Sequence, residues 1–277
     1  MIESMKNIKM IVTDLDRTLL RPKLPGDDDS KISDYSADIF NKCIGKKIKV
    51  AFATARPKRV TTQYLEIIPA DAVILHNGGL IYEGEEQIFH CNISSGAVKN
   101  IVRSISRDFP EATLSVEADD VLYTNFEAEF DPATANWDYT ILNNLSECLP
   151  DKSAEKIIVG LRSVNMMTEK TEDVIKRFEK YLNDDLYVEL NSERFLFFMN
   201  RNAKKSTAVK FLAERYGFDM SEILAFGDDY NDVDMLRECG AGVAVSNAID
   251  EAKAVADYIC GPNDEDGVAK WIEENLF

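Results

Sequence analysis

Histidine is almost missing from this chain, which has only His76 and His90. That argues against a histidine-built metal centre and against a Ser-His-Asp triad, and leaves acid–base work to carboxylates or lysine. Cysteine is sparse too. Cys43, Cys91, Cys148, Cys239 and Cys260 are scattered, odd in number and without a C-x-x-C pair, so neither a disulfide framework nor a thiolate zinc site is expected. Reduced thiols of this kind suit a cytoplasmic protein. No apolar run approaches the roughly 20 residues a membrane-spanning helix needs, and Met1–Lys6 lacks the apolar core of a signal peptide. There is no Lys/Arg block: 32 basic residues face 49 acidic ones, a net charge of −17. Nucleic acid and anionic membrane are disfavoured as partners, and a small anionic ligand needs a metal ion or a local group of cations to bind. Internal repeats and low-complexity tracts are absent, and the oligomeric state is left open.

What is present is ordinary globular material with room for two cores: 277 residues, 45% apolar and 29% charged. The stretch Lys9-Met10-Ile11-Val12-Thr13 is an apolar, β-branched run that ends abruptly in Asp14-Leu15-Asp16. Strands buried on both faces read as such runs, and in open α/β sheets ligands sit beyond their carboxyl ends. Asp-x-Asp alone says little in so acidic a chain, and the Asp27-Asp28-Asp29 run reads as a solvated loop. Ser33 is placed to cap a helix closed by Gly45. Ile48–Ala53 reads as a second strand, Pro57 opens a helix, and Ala72–Leu75 is a third strand. Strand and helix alternating at this spacing indicate a parallel βαβ sheet.

The rhythm changes after Gly79. A helix over Ser94–Phe109, strands at Ala112–Glu117 and Val121–Asn125, a helix over Ala135–Leu149, a strand at Ile157–Leu161, a helix from Thr168 to Leu182 capped by Thr168 or Thr171, and a strand at Leu186–Leu190 mix hairpins with helices. This segment is expected to be a separate α+β domain. The apolar run Phe195–Met199 is expected to return the chain to the first core. Helix Lys205–Tyr216, strand Ile223–Phe226, strand Gly242–Val245, a helix over Ala248–Ala256 capped by Asn247, an edge strand at Tyr258–Cys260 and a helix from Asp266 to Asn275 follow.

Four strand ends then carry polar clusters: Asp14/Asp16/Thr18, Thr54/Arg56, Asn77/Gly78/Gly79 and Asp228/Asp229/Asn231/Asp232. In a parallel sheet these ends lie along one edge and converge. Carboxylates without histidine suit a hard, oxygen-seeking ion, and Mg²⁺ is the usual one beside phosphate. One aspartate is then placed to attack phosphorus, and its neighbour two residues on to protonate the leaving oxygen. Thr54 and Lys205 are candidates to hold the phosphoryl oxygens, with Arg56 and Asn231 beside them.

Asp14-Leu15-Asp16-Arg17-Thr18, Thr54, Lys205-x-x-Ala208 and Gly227-Asp228-Asp229-Tyr230-Asn231-Asp232 resemble the four motifs of the haloacid dehalogenase-like hydrolases. Val245-Ser246-Asn247-Ala248 and Asp264-Glu265-Asp266-Gly267-Val268-Ala269 resemble the Cof-type phosphatase subgroup, as does the placement of the inserted segment. The resemblance implies an α/β fold, with a Rossmann-like parallel-sheet core from 1–84 and 192–277 and an inserted α+β cap at 85–191 that selects the substrate. It implies a Mg²⁺-dependent phosphatase of a small phosphorylated metabolite, working through an aspartyl-phosphate. Asp14 is then nucleophile and metal ligand. Asp16 is general acid/base, its carbonyl also on the metal, and Asp228 is the third ligand, supported by Asp232 and Asn231. A sugar phosphomutase on the same scaffold is the alternative. A receiver domain shares the acidic pocket and lysine but is much shorter and has no such insertion. Two positions depart from the pattern: Arg17 and Ala55 stand where glycine is usual.

Overall fold

The computed structural model describes residues 7–22, 31–126, 139–191 and 195–277. Met1–Lys6, the Asp27–Asp29 loop and residues 135–138 of an expected helix lie outside them. The chain divides into two compact units, Met1–Phe89 with Lys204–Phe277, and His90–Ala203.

The first unit opens with β1 (Met10–Thr13), α1 (Asp34–Gly45), β2 (Lys49–Ala53), α2 (Lys58–Ile67), β3 (Ala72–Leu75), β4 (Leu80–Glu83) and β5 (Glu86–His90). The second unit contains α3 (Ser95–Asp108), β6 (Thr113–Ala118), β7 (Val121–Thr124), β8 (Tyr139–Ile141), α4 (Leu145–Cys148), β9 (Lys156–Gly160), α5 (Thr171–Phe178), β10 (Leu186–Leu190) and β11 (Phe195–Asn200). The chain then completes the first unit with α6 (Lys205–Tyr216), β12 (Ile223–Gly227), α7 (Val233–Glu238), β13 (Ala241–Val245), α8 (Asp250–Val255), β14 (Tyr258–Cys260) and α9 (Gly267–Leu276).

The sheet of the first unit runs β14-β13-β12-β1-β2-β3-β4-β5 among the described residues. Parallel pairing joins β14 through β3, so their carboxyl ends share an edge, and β4 turns antiparallel to β3. β1 and β12 are central neighbours, with Met10 opposite Ile223 and Thr13 opposite Phe226. Both are wholly buried, which is why they read as unbroken apolar runs. Phe226 packs edge-on against Trp271 of α9, with ring centres 5.6 Å apart. Fully burying a side chain of this kind contributes about 1.5–3 kcal/mol. α1 begins as expected: the Ser36 N–H donates to Ser33 Oγ at 3.0 Å. α6 ends on Gly217 at φ 70°, the left-handed cap position that glycine occupies without a Cβ clash.

In the second unit the sheet runs β10-β11-β9-β6-β7-β8, antiparallel apart from the β7–β8 pair. The two chain ends of the unit are tied together, because the Asn200 side-chain amide donates to the Asn92 carbonyl at 3.2 Å. Among the described residues, no helix is long and apolar enough to cross a membrane.

Several expectations are corrected. β5, placed by sequence in the insertion, continues the sheet of the first unit. β11, expected to rejoin that sheet, lies instead between β10 and β9 of the second. Its alternation is hidden because both faces are apolar: Leu196 and Phe198 join the main cluster of the second unit, while Phe197 and Met199 pack with Ala203. The described part of the helix expected over Ala135–Leu149, from residue 139 on, is strand β8 followed by the single turn α4, in keeping with the strand preference of Tyr-Thr-Ile. α5 begins at Thr171 after Lys170, so neither threonine is its cap residue. Asn247 does not cap α8, which follows Ile249. The Ala248 and Ile249 N–H groups donate instead to Val245 O and Asp228 O, and the Asn247 side chain is engaged elsewhere.

Candidate active site

The site forms at the carboxyl ends of β1 and β12. β1 delivers Asp14, whose N–H donates to Phe226 O at 3.0 Å, so the first aspartate is pinned to the neighbouring strand. The chain then makes a tight turn through Leu15–Leu19, with Arg17 at φ 59° and Leu15 and Leu19 buried. The turn brings Thr18 back, and its hydroxyl donates to Asp228 Oδ1 at 3.1 Å.

β12 ends at Gly227, and the next residues fold into a capped turn. Asp232 Oδ2 accepts from the Asp228 N–H at 2.9 Å and the Asp229 N–H at 3.2 Å. Glycine is required at 227, because a Cβ there would stand 2.5 Å from the Asp232 side chain. From the start of α6, Lys205 places its ammonium between two carboxylates, donating to Asp14 Oδ1 and to Asp232 Oδ1 at 2.7 Å each. The Lys205 side chain is fully buried. Burial alone pushes its ammonium down, but Asp14 and Asp232 outweigh that and hold it well above the usual lysine range.

Two oxygens remain bare. Asp14 Oδ2 and Asp228 Oδ2 are buried without a hydrogen-bond partner. Asp14, Asp228 and Asp232 each offer an oxygen, all within 4.8 Å of one another. Burial, with repulsion from the neighbouring carboxylates, raises Asp14 from 3.8 to about 7 and Asp228 from 3.8 to about 9. Orphaned carboxylate oxygens in such a cluster fit a hard divalent cation.

One consequence can be measured without any substrate. Both carboxyls have folded values above their unfolded ones, so their contribution to stability is complete below about pH 3.8 and is lost as pH rises through 7 and 9. In EDTA the melting temperature is expected to fall between pH 5 and pH 9 for this reason, and saturating Mg²⁺ to flatten the slope. Equal slopes with and without the ion would show that the cluster does not hold it.

The other expected site residues fall as follows. The Asp16 carboxylate, 45% exposed, is gripped by Arg56, with Nη2 at 2.6 Å and Nε at 2.9 Å. Arg56 Nη1 also donates to the Tyr64 hydroxyl at 3.0 Å. Arg56, expected on phosphate, is thus placed on Asp16. Thr54 is buried at the end of β2, its hydroxyl accepting from the Arg56 N–H at 3.1 Å. Asn231, also expected on phosphate, donates through its side chain to Asn77 Oδ1 at 3.0 Å and so joins the loops after β3 and β12. The expected metal set separates: Asp14 and Asp228 have bare oxygens, Asp232 is occupied by Lys205 and two N–H groups, and the Asp16 carboxylate is turned to Arg56.

Two further residues shape the site: Asn263, which the sequence did not single out, and Asn247, which it placed in a family motif and as a helix cap but not in the site. Asn247 donates to Arg17 O at 2.8 Å and accepts from the Asn263 N–H at 3.0 Å. Asn263 in turn donates to Leu20 O at 2.7 Å. Together they hold the middle of the turn after Asp14 and the residue that closes it. The available signal was an amide just past the carboxyl end of β13, at the edge where the other clusters gather.

A parallel α/β core with acidic loops at one sheet edge defines the class, and comparison with known proteins gives the family. The haloacid dehalogenase-like hydrolase family matches residues 11–272, so the chain belongs to it. It is 26% identical over 278 residues to the 5-amino-6-(5-phospho-D-ribitylamino)uracil phosphatase YitU of Bacillus subtilis, covering 96% of each chain. It is 28% identical over 269 residues to the phosphoglycolate phosphatase of Methanobrevibacter smithii, covering 97% of this chain and 98% of the other. Among solved structures, TM0651 from Thermotoga maritima is similar with a TM-score of 0.77 and 28% identity, covering 96% of this chain and 97% of that one.

Proposed function

We propose that the protein is a Mg²⁺-dependent phosphatase of a small phosphorylated metabolite, acting through transient phosphorylation of Asp14. The observation that carries this reading is the divided Asp14 carboxylate. Oδ1 is held by Lys205 and Oδ2 accepts no hydrogen bond, in a cluster where Asp228 also has an oxygen that accepts none. A carboxylate so fixed has its orientation set and is not fully engaged by the protein, which is the positioning that phosphoryl transfer depends on.

In the first step an Asp14 oxygen bonds to phosphorus as the ester P–O bond breaks, and Asp16 gives a proton to the departing oxygen. In the second, Asp16 takes a proton from water, which attacks the same phosphorus and releases phosphate and free Asp14. Lys205 holds Asp14 in line and, with Thr54, is assigned to the phosphoryl oxygens. Arg56 fixes the Asp16 carboxylate, and Asn231, through Asn77, ties the loop after β12 to the loop after β3. Asp14, the Asp16 carbonyl and Asp228, with Asp232 behind them, would hold Mg²⁺, which would supply charge neutralisation for the transferring group. The relatives' names point to phosphorylated small molecules as substrates, and choice among these is assigned to the inserted unit.

The test is a panel of phosphorylated metabolites assayed for inorganic phosphate. Release is expected with Mg²⁺ and is expected to disappear in EDTA, returning when the ion is restored. Full activity after chelation would remove the metal from the reading. A sugar phosphate converted to its isomer without accumulation of phosphate would mark a mutase instead.

A further inference from the structure

Arg17 is left unexplained by the chemistry above. Its backbone is left-handed, at φ 59° and ψ 5°, a conformation glycine adopts freely and a residue with a Cβ does not. The turn that carries it is fixed at its middle and just past its end, by Asn247 on Arg17 O and by Asn263 on Leu20 O. Its guanidinium reaches inward from this anchored backbone: Nη2 lies 3.4 Å from Asn247 O, and Nε lies 3.6 Å from Asp228 Oδ2. That oxygen is one of the two carboxylate oxygens of the cluster that are buried without a hydrogen-bond partner. A cation of the chain itself therefore faces an atom that the divalent ion needs.

We propose that Arg17 is a positioning residue that serves as the resident counter-ion of Asp228 and thereby weakens divalent-metal binding, so that the ion exchanges readily. The proposal rests on the reading of Asp14 and Asp228 as metal ligands. Without the ion, Arg17 offsets part of the charge that burial makes unfavourable at Asp228. With the ion, two cations share one carboxylate and repel each other. The Arg17 side chain is 47% exposed, so water and salt screen that repulsion and keep it moderate. A neutral residue at position 17 is accordingly expected to tighten the site on the order of three- to tenfold at low ionic strength.

The experiment is direct titration of the full-length protein with Mg²⁺ by calorimetry, or with Mn²⁺ by the electron-spin signal of the free ion, without substrate. Arg17→Gln is expected to bind more tightly than wild type, Arg17→Lys to bind like wild type, and the difference to shrink at high salt. Arg17→Gly suits the positive φ and serves as a second neutral variant should the glutamine fail to fold. Unchanged or weaker binding in the neutral variants, or a lysine variant that matches them, overturns the proposal. The metal reading itself is checked separately by Asp228→Asn. That variant must lose affinity, and if it binds like wild type the assignment of the ligands fails whatever Arg17 does.

Discussion

Replacing Asp14 by asparagine is expected to lower kcat by about 10⁴-fold or more while leaving the protein folded. The magnitude is typical of removing an attacking group whose partners remain in place. The fold is expected to survive because the substitution changes charge and not shape. An asparagine oxygen can still accept from Lys205, the N–H can still donate to Phe226 O, and the strand below is untouched. One buried carboxylate is also removed from a crowded cluster, so the metal-free variant gains no new repulsion. The measurement is phosphate release at saturating substrate, with far-UV circular dichroism as the control for folding. A folded Asp14→Asn enzyme with near-normal kcat would place the nucleophile elsewhere.

Lys205→Met is expected to produce the largest loss of stability available at the site. Lys205 is the cation between Asp14 and Asp232, all three side chains being at most 7% exposed. Removing one partner from a buried ion pair typically costs about 3–5 kcal/mol, because the remaining charge is left in the interior without compensation. Methionine fills a similar volume, so the loss reports charge and not a cavity. Thermal melts of the metal-free protein should show the drop, and Mg²⁺ should restore part of it, because a second cation then serves the same carboxylates. If the variant melts like wild type in EDTA, Lys205 is not the counter-ion of the cluster. Turnover should fall as well, since nothing then fixes Asp14 Oδ1.

The parallel core was legible because its strands are buried on both faces and end in sharp polar punctuation. β1, β3 and β12 show an apolar run, then aspartate or asparagine, with glycine alongside at the ends of β3 and β12. The cluster of Asp14, Asp228, Asp232 and Lys205 followed from that edge and from the family's motifs. What the sequence concealed depends on pairing partners or on side-chain direction. Phe195–Asn200 has the composition of a doubly buried core strand, and only its register with β10 and β9 assigns it to the other sheet. Arg56 and Asn231 stand at the expected loops, but a loop position does not say which neighbour a long or amide side chain will choose. Arg56 chose Asp16, and Asn231 chose Asn77. Asn247 looked like a helix cap because amides often are. Its actual partners, Arg17 and Asn263, are distant in sequence and could not be read from spacing.

The hydrogen bond from Asn200 to Asn92 has a thermodynamic meaning beyond the geometry of the second unit. While that unit is folded, its ends are held together, and the rest of the chain needs only a short closure to complete its own sheet. If the insertion unravels, the same sheet must close a loop of more than a hundred residues. Closure entropy grows logarithmically, at about 0.6 kcal/mol for each doubling of length, so the lengthening amounts to roughly 3 kcal/mol. Destabilising the insertion therefore weakens the first unit through chain connectivity alone.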